Sequence, residues 1–134
     1  MRGTDTNVLL RYLTEDDAEQ ARAARELFER AEAEGERFHV ATAVLCELVW
    51  ALRGRLYRLD RGAIAQVLAG LLDTALFEIQ DRDLVRRALA DFQEGPGDFA
   101  DYLIGWQNTT AGCRHTVTFD RDLLHCDRFA PVRG

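Results

Sequence analysis

Apolar and polar positions alternate along the chain in two rhythms, one short and extended, one helical. Residues 2–5 read as a short strand ending at Asp5, although Arg2-Gly3-Thr4 is poor strand material. The stretch NVLLRYL after it has a helical pattern. Over residues 16–34 an Ala/Glu/Arg-rich segment with acids in its first turn predicts a long helix. Its apolar stripe is Ala21, Ala24, Leu27, Phe28 and Ala31, and Gly35 suits the C-terminal cap. Phe38-His39-Val40-Ala41 reads as a buried strand, and Thr42 is placed to cap the helix that follows. A helix over 60–73, a strand at Leu76-Phe77-Glu78-Ile79 and an amphipathic helix over 81–93 come next. Gly95-Pro96-Gly97 breaks the chain. DFADYLIGWQNTTAG is helical, His115-Thr116-Val117-Thr118-Phe119 forms a fourth strand closed by Asp120, and Phe129-Ala130-Pro131-Val132 suits a short fifth.

Strands separated by helices predict an α/β fold with a parallel sheet and helices on both faces. The 134 residues fit one domain, and no repeat or linker divides them. In such sheets the site lies beyond the carboxyl ends of the strands. Acids collect there. Asp5 ends the first strand, Glu47 lies in the second turn of the helix after the second, Asp98 and Asp101 open the helix after the glycine break, Asp120 ends the fourth strand, and Asp122 follows it.

Glu47 is the only charge in ATAVLCELVWAL, residues 41–52, so its side chain is expected to be buried. A buried carboxylate needs a partner, either an arginine or a cation shared with other acids. Taken singly, Asp5 and Asp98 suit helix caps and Asp120 suits a turn. Caps would have no reason to gather at one edge. Clustered carboxylates repel and favour a bound cation. Ligands that are all oxygen select a hard ion, Mg²⁺ or Mn²⁺.

Composition narrows the chemistry further. All 17 basic residues are arginine, and the missing lysine excludes a Walker A loop, Schiff-base catalysis and a receiver-type phosphorylation site. The net charge of −6 argues against a protein that coats nucleic acid nonspecifically, but not against a nuclease whose acids are masked by metal. Arg11, Arg114 and Arg121 lie near the acidic edge and are candidate phosphate contacts. Cys46, Cys113 and Cys126 form no CxxC pair and read as free thiols. His39, His115 and His125 lack zinc spacing, and the first two read as strand packing. Trp50, Leu52 and Tyr57 suit either the core or an interface. No apolar run approaches the roughly 20 residues of a membrane span, and the first residues carry charge too early for a secretory leader. A cytoplasmic protein with no membrane partner is expected.

Four blocks carry a family likeness. Asp5-Thr6-Asn7-Val8-Leu9-Leu10-Arg11-Tyr12-Leu13, then Thr42 with Glu47-Leu48, then Asp98-Phe99-Ala100-Asp101, then Thr118-Phe119-Asp120-Arg121-Asp122 resemble the PIN-domain family in order and over nearly the whole chain. Within it they resemble the VapC-type toxins of bacterial and archaeal toxin–antitoxin pairs. The resemblance implies a PIN-like α/β/α sandwich with a central parallel sheet of four to five strands. It implies a metal-dependent endoribonuclease, in which Asp5, Glu47 and Asp101 match the core acids and Asp120 the more variable fourth; these would hold Mg²⁺ or Mn²⁺ and carry catalysis. Thr6 matches a small polar residue that accompanies the first Asp, and Thr42 a hydroxyl that starts the helix bearing the Glu. With Asp98 and Asp122 they would support the acids from behind. The implied partners are an RNA substrate, a cognate antitoxin protein and a second copy in a homodimer. One departure stands out: family members have an apolar strand before the first Asp, whereas Met-Arg-Gly-Thr precedes it here, so the first strand is expected to be short or poorly packed. Two other readings fit the same residues, a PIN-like RNA- or protein-binding module that does not cleave, and a DNA nuclease. No motif selects a particular RNA.

Overall fold

In the computed structural model, which describes residues 1–133, the elements follow in the order β1 (Arg2–Gly3), α1 (Thr6–Leu13), α2 (Ala18–Ala33), β2 (Phe38–Val40), α3 (Thr42–Arg53), α4 (Arg61–Asp73), β3 (Phe77–Ile79), α5 (Arg82–Glu94), α6 (Phe99–Thr110), β4 (Thr116–Thr118) and β5 (Phe129–Pro131), with a 3₁₀ turn over Arg121–Leu123. The expected elements are all present, most of them trimmed by one or two residues at an end. Fraying of that size is normal for helix and strand termini.

The sheet is smaller than the expected four to five strands. β1, β2 and β3 form a three-stranded parallel sheet, and β4 pairs with β5 in a separate parallel pair. The reason lies in β1. Its two residues, Arg2 and Gly3, are both exposed and offer no apolar side chain to hold a second neighbour. β2 and β3, by contrast, each bury their outer pair of residues: Phe38 and Val40, Phe77 and Ile79. His115 falls outside β4 and is exposed, so it does not pack as a strand residue.

An aromatic cluster ties the first helices to the sheet. Phe28 of α2 meets Tyr12 of α1 at 4.9 Å, Phe38 of β2 at 5.0 Å and Phe77 of β3 at 5.2 Å between ring centroids, each edge to face. Such pairs add about 0.5–1.5 kcal/mol beyond the area they bury. The stripe Ala21, Ala24, Phe28 and Ala31 is the buried face of α2, as its spacing requires. Leu52, a candidate for an interface, is core, while Trp50 is 49% exposed.

The break at Gly95-Pro96-Gly97 is held from three sides. Arg61 Nη2 donates to the carbonyls of Phe92 (2.7 Å), Gly95 (2.6 Å) and Gly97 (2.8 Å), while its guanidinium carbon lies 4.0 Å from the centre of the Phe92 ring. The Gly97 N–H donates to the buried Tyr102 hydroxyl at 2.9 Å, which also meets His125 Nε2 at 2.9 Å. On the far face of α6, Asp91 of α5 accepts from the Trp106 indole at 2.8 Å and from Arg128.

Two glycines test the packing. A Cβ on Gly105 would stand 2.7 Å from Phe129 Cζ, whereas one on Gly70 meets nothing within 4 Å. Gly105→Ala is expected to cost about 1–3 kcal/mol by overpacking the α6–β5 contact. Gly70→Ala, in an exposed helix interior, should gain about 0.5–1 kcal/mol. Chemical denaturation of both variants checks this; an unchanged midpoint for Gly105→Ala would contradict the packing described.

Candidate active site

Asp5 is the N-cap of α1. Its backbone is extended, and its Oδ1 accepts from the Val8 N–H at 2.9 Å. Capping engages one carboxylate oxygen and leaves Oδ2 free among the described residues, so the cap and a ligand role are compatible. Thr6, the next residue, donates its hydroxyl to Glu47 Oε1 at 2.8 Å. That bond ties the start of α1 to α3.

Glu47 is exposed, contrary to the burial expected from its apolar neighbours. α3 buries Leu45, Leu48, Val49 and Leu52, and residue 47 falls between those positions on the outer face. Its partner is therefore the Thr6 hydroxyl and not an arginine. Thr42 also differs from expectation. The N-cap of α3 is Ala41 with no side-chain cap bond, and Thr42 instead donates its N–H (2.9 Å) and its hydroxyl (3.4 Å) to Gln80 Oε1 just past β3. An external amide has taken over the capping of that first turn.

Asp98 occupies the N-cap position of α6, yet its side chain makes no cap bond. It accepts from the Trp50 indole at 3.2 Å and from Arg53 Nη1 at 3.1 Å, both on α3. Asp98 thus fastens the helix carrying Asp101 to the helix carrying Glu47. Trp50 and Arg53 were not among the expected site residues. Their signal was present, since 47, 50 and 53 share the outer face of α3 at helical spacing.

Asp101 lies half-buried in the first turn of α6, and its carboxylate has no hydrogen-bond partner among the described residues. Its pKa is raised above the usual carboxylate value, first by burial and then by the neighbouring charges of Asp98 and Asp120; Arg53 opposes this weakly. Asp101 and Asp98 also push up the pKa of the half-buried Cys46 thiol, after burial itself. The α3 face next to Glu47 therefore looks onto Asp101. Asp120 caps the 3₁₀ turn by accepting from the Asp122 N–H at 2.9 Å, and its own N–H donates to Thr118 Oγ1 at 3.0 Å. Asp122 is exposed beyond it.

Asp98 and Asp120 both act on Asp101, but the acids do not close on a point. Among the described residues no group of three or more His, Cys, Asp or Glu side chains is near enough together to hold a metal ion. Asp5, Glu47, Asp98 and Asp120 each have a local hydrogen-bond partner, while Asp101 stands alone.

The three arginines separate. Arg11 is half-buried and committed within the protein: Nε donates to Gln20 Oε1 at 2.7 Å, and Nη1 pairs with Asp16 at 3.2 Å. Asp16, held also by Thr14 and Tyr57, has its pKa lowered chiefly by those two hydroxyls. Arg11 is a wall residue of a groove of about 460 Å³ between α1 and α2, lined also by Asp5, Asn7, Gln20 and Leu27. Arg114 precedes β4, at the other end of that strand from Asp120, and is exposed. Arg121 adjoins Asp120, is exposed, and has no ion-pair partner among the described residues.

A family model for the PIN domain matches residues 4–128. Among curated proteins, a VapC ribonuclease from Aquifex aeolicus is 29% identical over 121 residues, covering 90% of this chain and 88% of that protein. No solved structure matches the chain significantly.

The raised pKa of Asp101 has a thermal consequence. The folded state releases this proton less readily than the unfolded state, so stability is lost as pH rises through the raised value. With divalent ions chelated, Asp101→Asn is expected to raise the melting temperature at pH 7. The advantage should vanish below about pH 4, where both forms are neutral. Equal melting temperatures at neutral pH would contradict the environment described for Asp101.

Proposed function

The chain belongs to the PIN-domain family, and on that premise we propose that it is the toxin of a toxin–antitoxin pair, a divalent-metal-dependent endoribonuclease. The observation that carries this reading is Asp101, a half-buried carboxylate without a hydrogen bond among the described residues, raised in pKa by burial and by two neighbouring acids. An acid in that state gains more than its neighbours from a cation. Similarity to a VapC ribonuclease across most of both chains supports the RNA assignment.

The donor set fits a hard cation. Mg²⁺ binds through one or two carboxylates, keeps several waters and meets substrate phosphates, so a closed three-acid cage is not required. Asp101 would be the first residue to hold it, and Asp5, Glu47 and Asp120 would be the further carboxylates on offer. When bound, such an ion acidifies a water and neutralises charge on the leaving oxygen.

The chain's own residues supply the rest. Thr6 orients Glu47, and its hydrogen bond withdraws one oxygen and leaves Oε2 available. Asp98, paired with Arg53 and held by Trp50, fastens the two acid-bearing helices together. Arg121 is the arginine placed to meet a phosphate at this edge, because Arg11 is neutralised by Asp16 and Arg114 lies at the other end of β4.

We infer the corresponding setting: a cytoplasmic homodimer, silenced by an antitoxin protein. No helix of the described residues is long and apolar enough to cross a membrane. A non-cleaving RNA-binding module is the second reading, favoured by the separation of the acids.

The test is incubation of the purified protein, freed of any co-purifying partner, with total RNA and with a DNA pool of matched length. Discrete RNA fragments are expected with Mn²⁺, ending in 3′-hydroxyl and 5′-phosphate because water and not the ribose 2′-OH attacks. EDTA should abolish them. Asp101→Asn should reduce the rate by about a hundredfold or more, since removing even an outer-shell partner of a metal ligand costs 10–100-fold. Cleavage of DNA alone would convert the assignment to a DNA nuclease. Tight RNA binding without any cleavage in Mn²⁺ would favour the non-cleaving module.

A further inference from the structure

Among the described residues β4 and β5 form a pair of their own, so strand pairing does not align Asp120 with the first sheet. Its placement against Asp101 has to come from contacts with α6. Toward the end of that helix, Asn108 Nδ2 donates to Thr116 Oγ1 at 3.0 Å, and the Phe129 ring packs on Gly105. Toward its start the tie runs through His125. Asp120 opens a run of turns in which the Leu123 N–H donates to the Asp120 carbonyl at 3.2 Å and the Cys126 N–H to the Leu123 carbonyl at 3.1 Å. Leu123 is buried against the glycine bend, since a Cβ on Gly97 would stand 2.5 Å from its Cδ2. His125 Nε2 meets the Tyr102 hydroxyl at 2.9 Å, and a Cβ on Gly95 would lie 2.8 Å from that nitrogen. Tyr102 is the residue after Asp101, and the charge of Asp120 is felt at Asp101.

The hydrogen count gives this bond a direction. The buried Tyr102 hydroxyl already accepts the Gly97 N–H at 2.9 Å. It has one hydrogen of its own to donate, and a buried donor left without an acceptor is costly. His125 Nε2 is its other partner among the described residues, so Nε2 accepts. The residue that contains this nitrogen is itself exposed, so its ring fills little of the core. What it supplies is an acceptor at a fixed place. We propose that His125 is a positioning residue for RNA hydrolysis: through the Tyr102 hydroxyl it locks the turn bearing Asp120 onto the helix bearing Asp101, so that both carboxylates serve one divalent cation. The inference rests on the ribonuclease reading above and adds a residue that lies outside the four acidic motif blocks.

Two readouts on wild type, His125→Gln, His125→Asn and His125→Leu test it. One is Mn²⁺ affinity, followed by the paramagnetic resonance signal of the free ion. The other is single-turnover cleavage of total RNA in Mn²⁺. A glutamine carbonyl reaches the place of Nε2, whereas an asparagine amide ends near Nδ1, short of the hydroxyl. Gln should hold both readouts within about twofold of wild type; Asn and Leu should weaken each about tenfold, the lower end of what losing an outer partner of a metal ligand costs. The same substitutions are then made in Asp120→Asn. There His125→Asn should cost nothing further, because the carboxylate that His125 positions is already gone. Melting curves check that each variant is folded, and the polar pair Gln and Asn carries the comparison should the apolar variant unfold. Equal readouts in the Gln and Asn variants overturn the positioning role and leave the ribonuclease reading in place. Losses from His125→Asn and Asp120→Asn that multiply do the same, since His125 would then act independently of Asp120. A wild type that binds no Mn²⁺ and cuts no RNA overturns the ribonuclease reading, and this inference falls with it.

Discussion

One guanidinium sets the direction of the helix that carries Asp101. Polar backbone groups at a chain break must find partners or cost free energy. At Gly95-Pro96-Gly97 the carbonyls of two glycines, together with that of Phe92, converge on Arg61 Nη2. Two N–H bonds shared among three acceptors constrain the bend more tightly than any one contact would. From the other side, the Tyr102 hydroxyl receives the Gly97 N–H. Gly97 has no freedom to carry a side chain, because a Cβ would stand 2.5 Å from Leu123 and 2.8 Å from the Tyr102 ring. The next residue is Asp98. The orientation of α6, and with it the placement of two of the acids, follows from this bend.

Asp98 passes the constraint on to α3. Its contacts with Trp50 and Arg53 are where the bend meets the helix of Glu47, and the Thr6–Glu47 bond then reaches α1. A chain of polar contacts thus runs along the edge where the carboxylates stand. Repulsion among like charges works against this arrangement, and hydrogen-bond partners offset it at Asp5, Glu47, Asp98 and Asp120 but not at Asp101. Arg53 is a cation that acts on Asp101, and burial and the neighbouring acids outweigh it.

Much of this was legible in the sequence. The order and type of the elements followed from periodicity, and the four motif blocks pointed to the family that the PIN-domain match bears out. The residues before Asp5 were read as poor strand material, and β1 is indeed two exposed residues. Other features were not legible for physical reasons. Glu47 was assigned to the interior because most of its sequence neighbours are apolar, yet a helix buries a stripe and not a segment; Glu47, Trp50 and Arg53 share the uncovered side. Thr42 looked like a cap, but Gln80, far away in sequence, took that role. Arg11 and Arg114 lay near acids along the chain; a side-chain pairing withdrew the first, and strand direction carried the second to the far end. The sheet came out as three strands and a separate pair because β1 has nothing to pack between them.

The thinness of β1 bears on how this chain can change over evolutionary time. Asp5 is registered by its own helix, through the bond from the Val8 N–H, more than by the strand before it. The strand contributes backbone hydrogen bonds, from Arg2 N to Arg37 O and from Thr4 N to His39 O, and the Arg2 side chain adds an ion pair with Glu36 and a contact over the Phe38 ring. Apart from Arg2, whose side chain is tied to Glu36, residues 1–4 have room to drift under mutation while the acid behind them keeps its station. Relatives with quite different leading residues can preserve the same edge, and alignments anchored on the first strand will understate kinship that α1 and α3 retain.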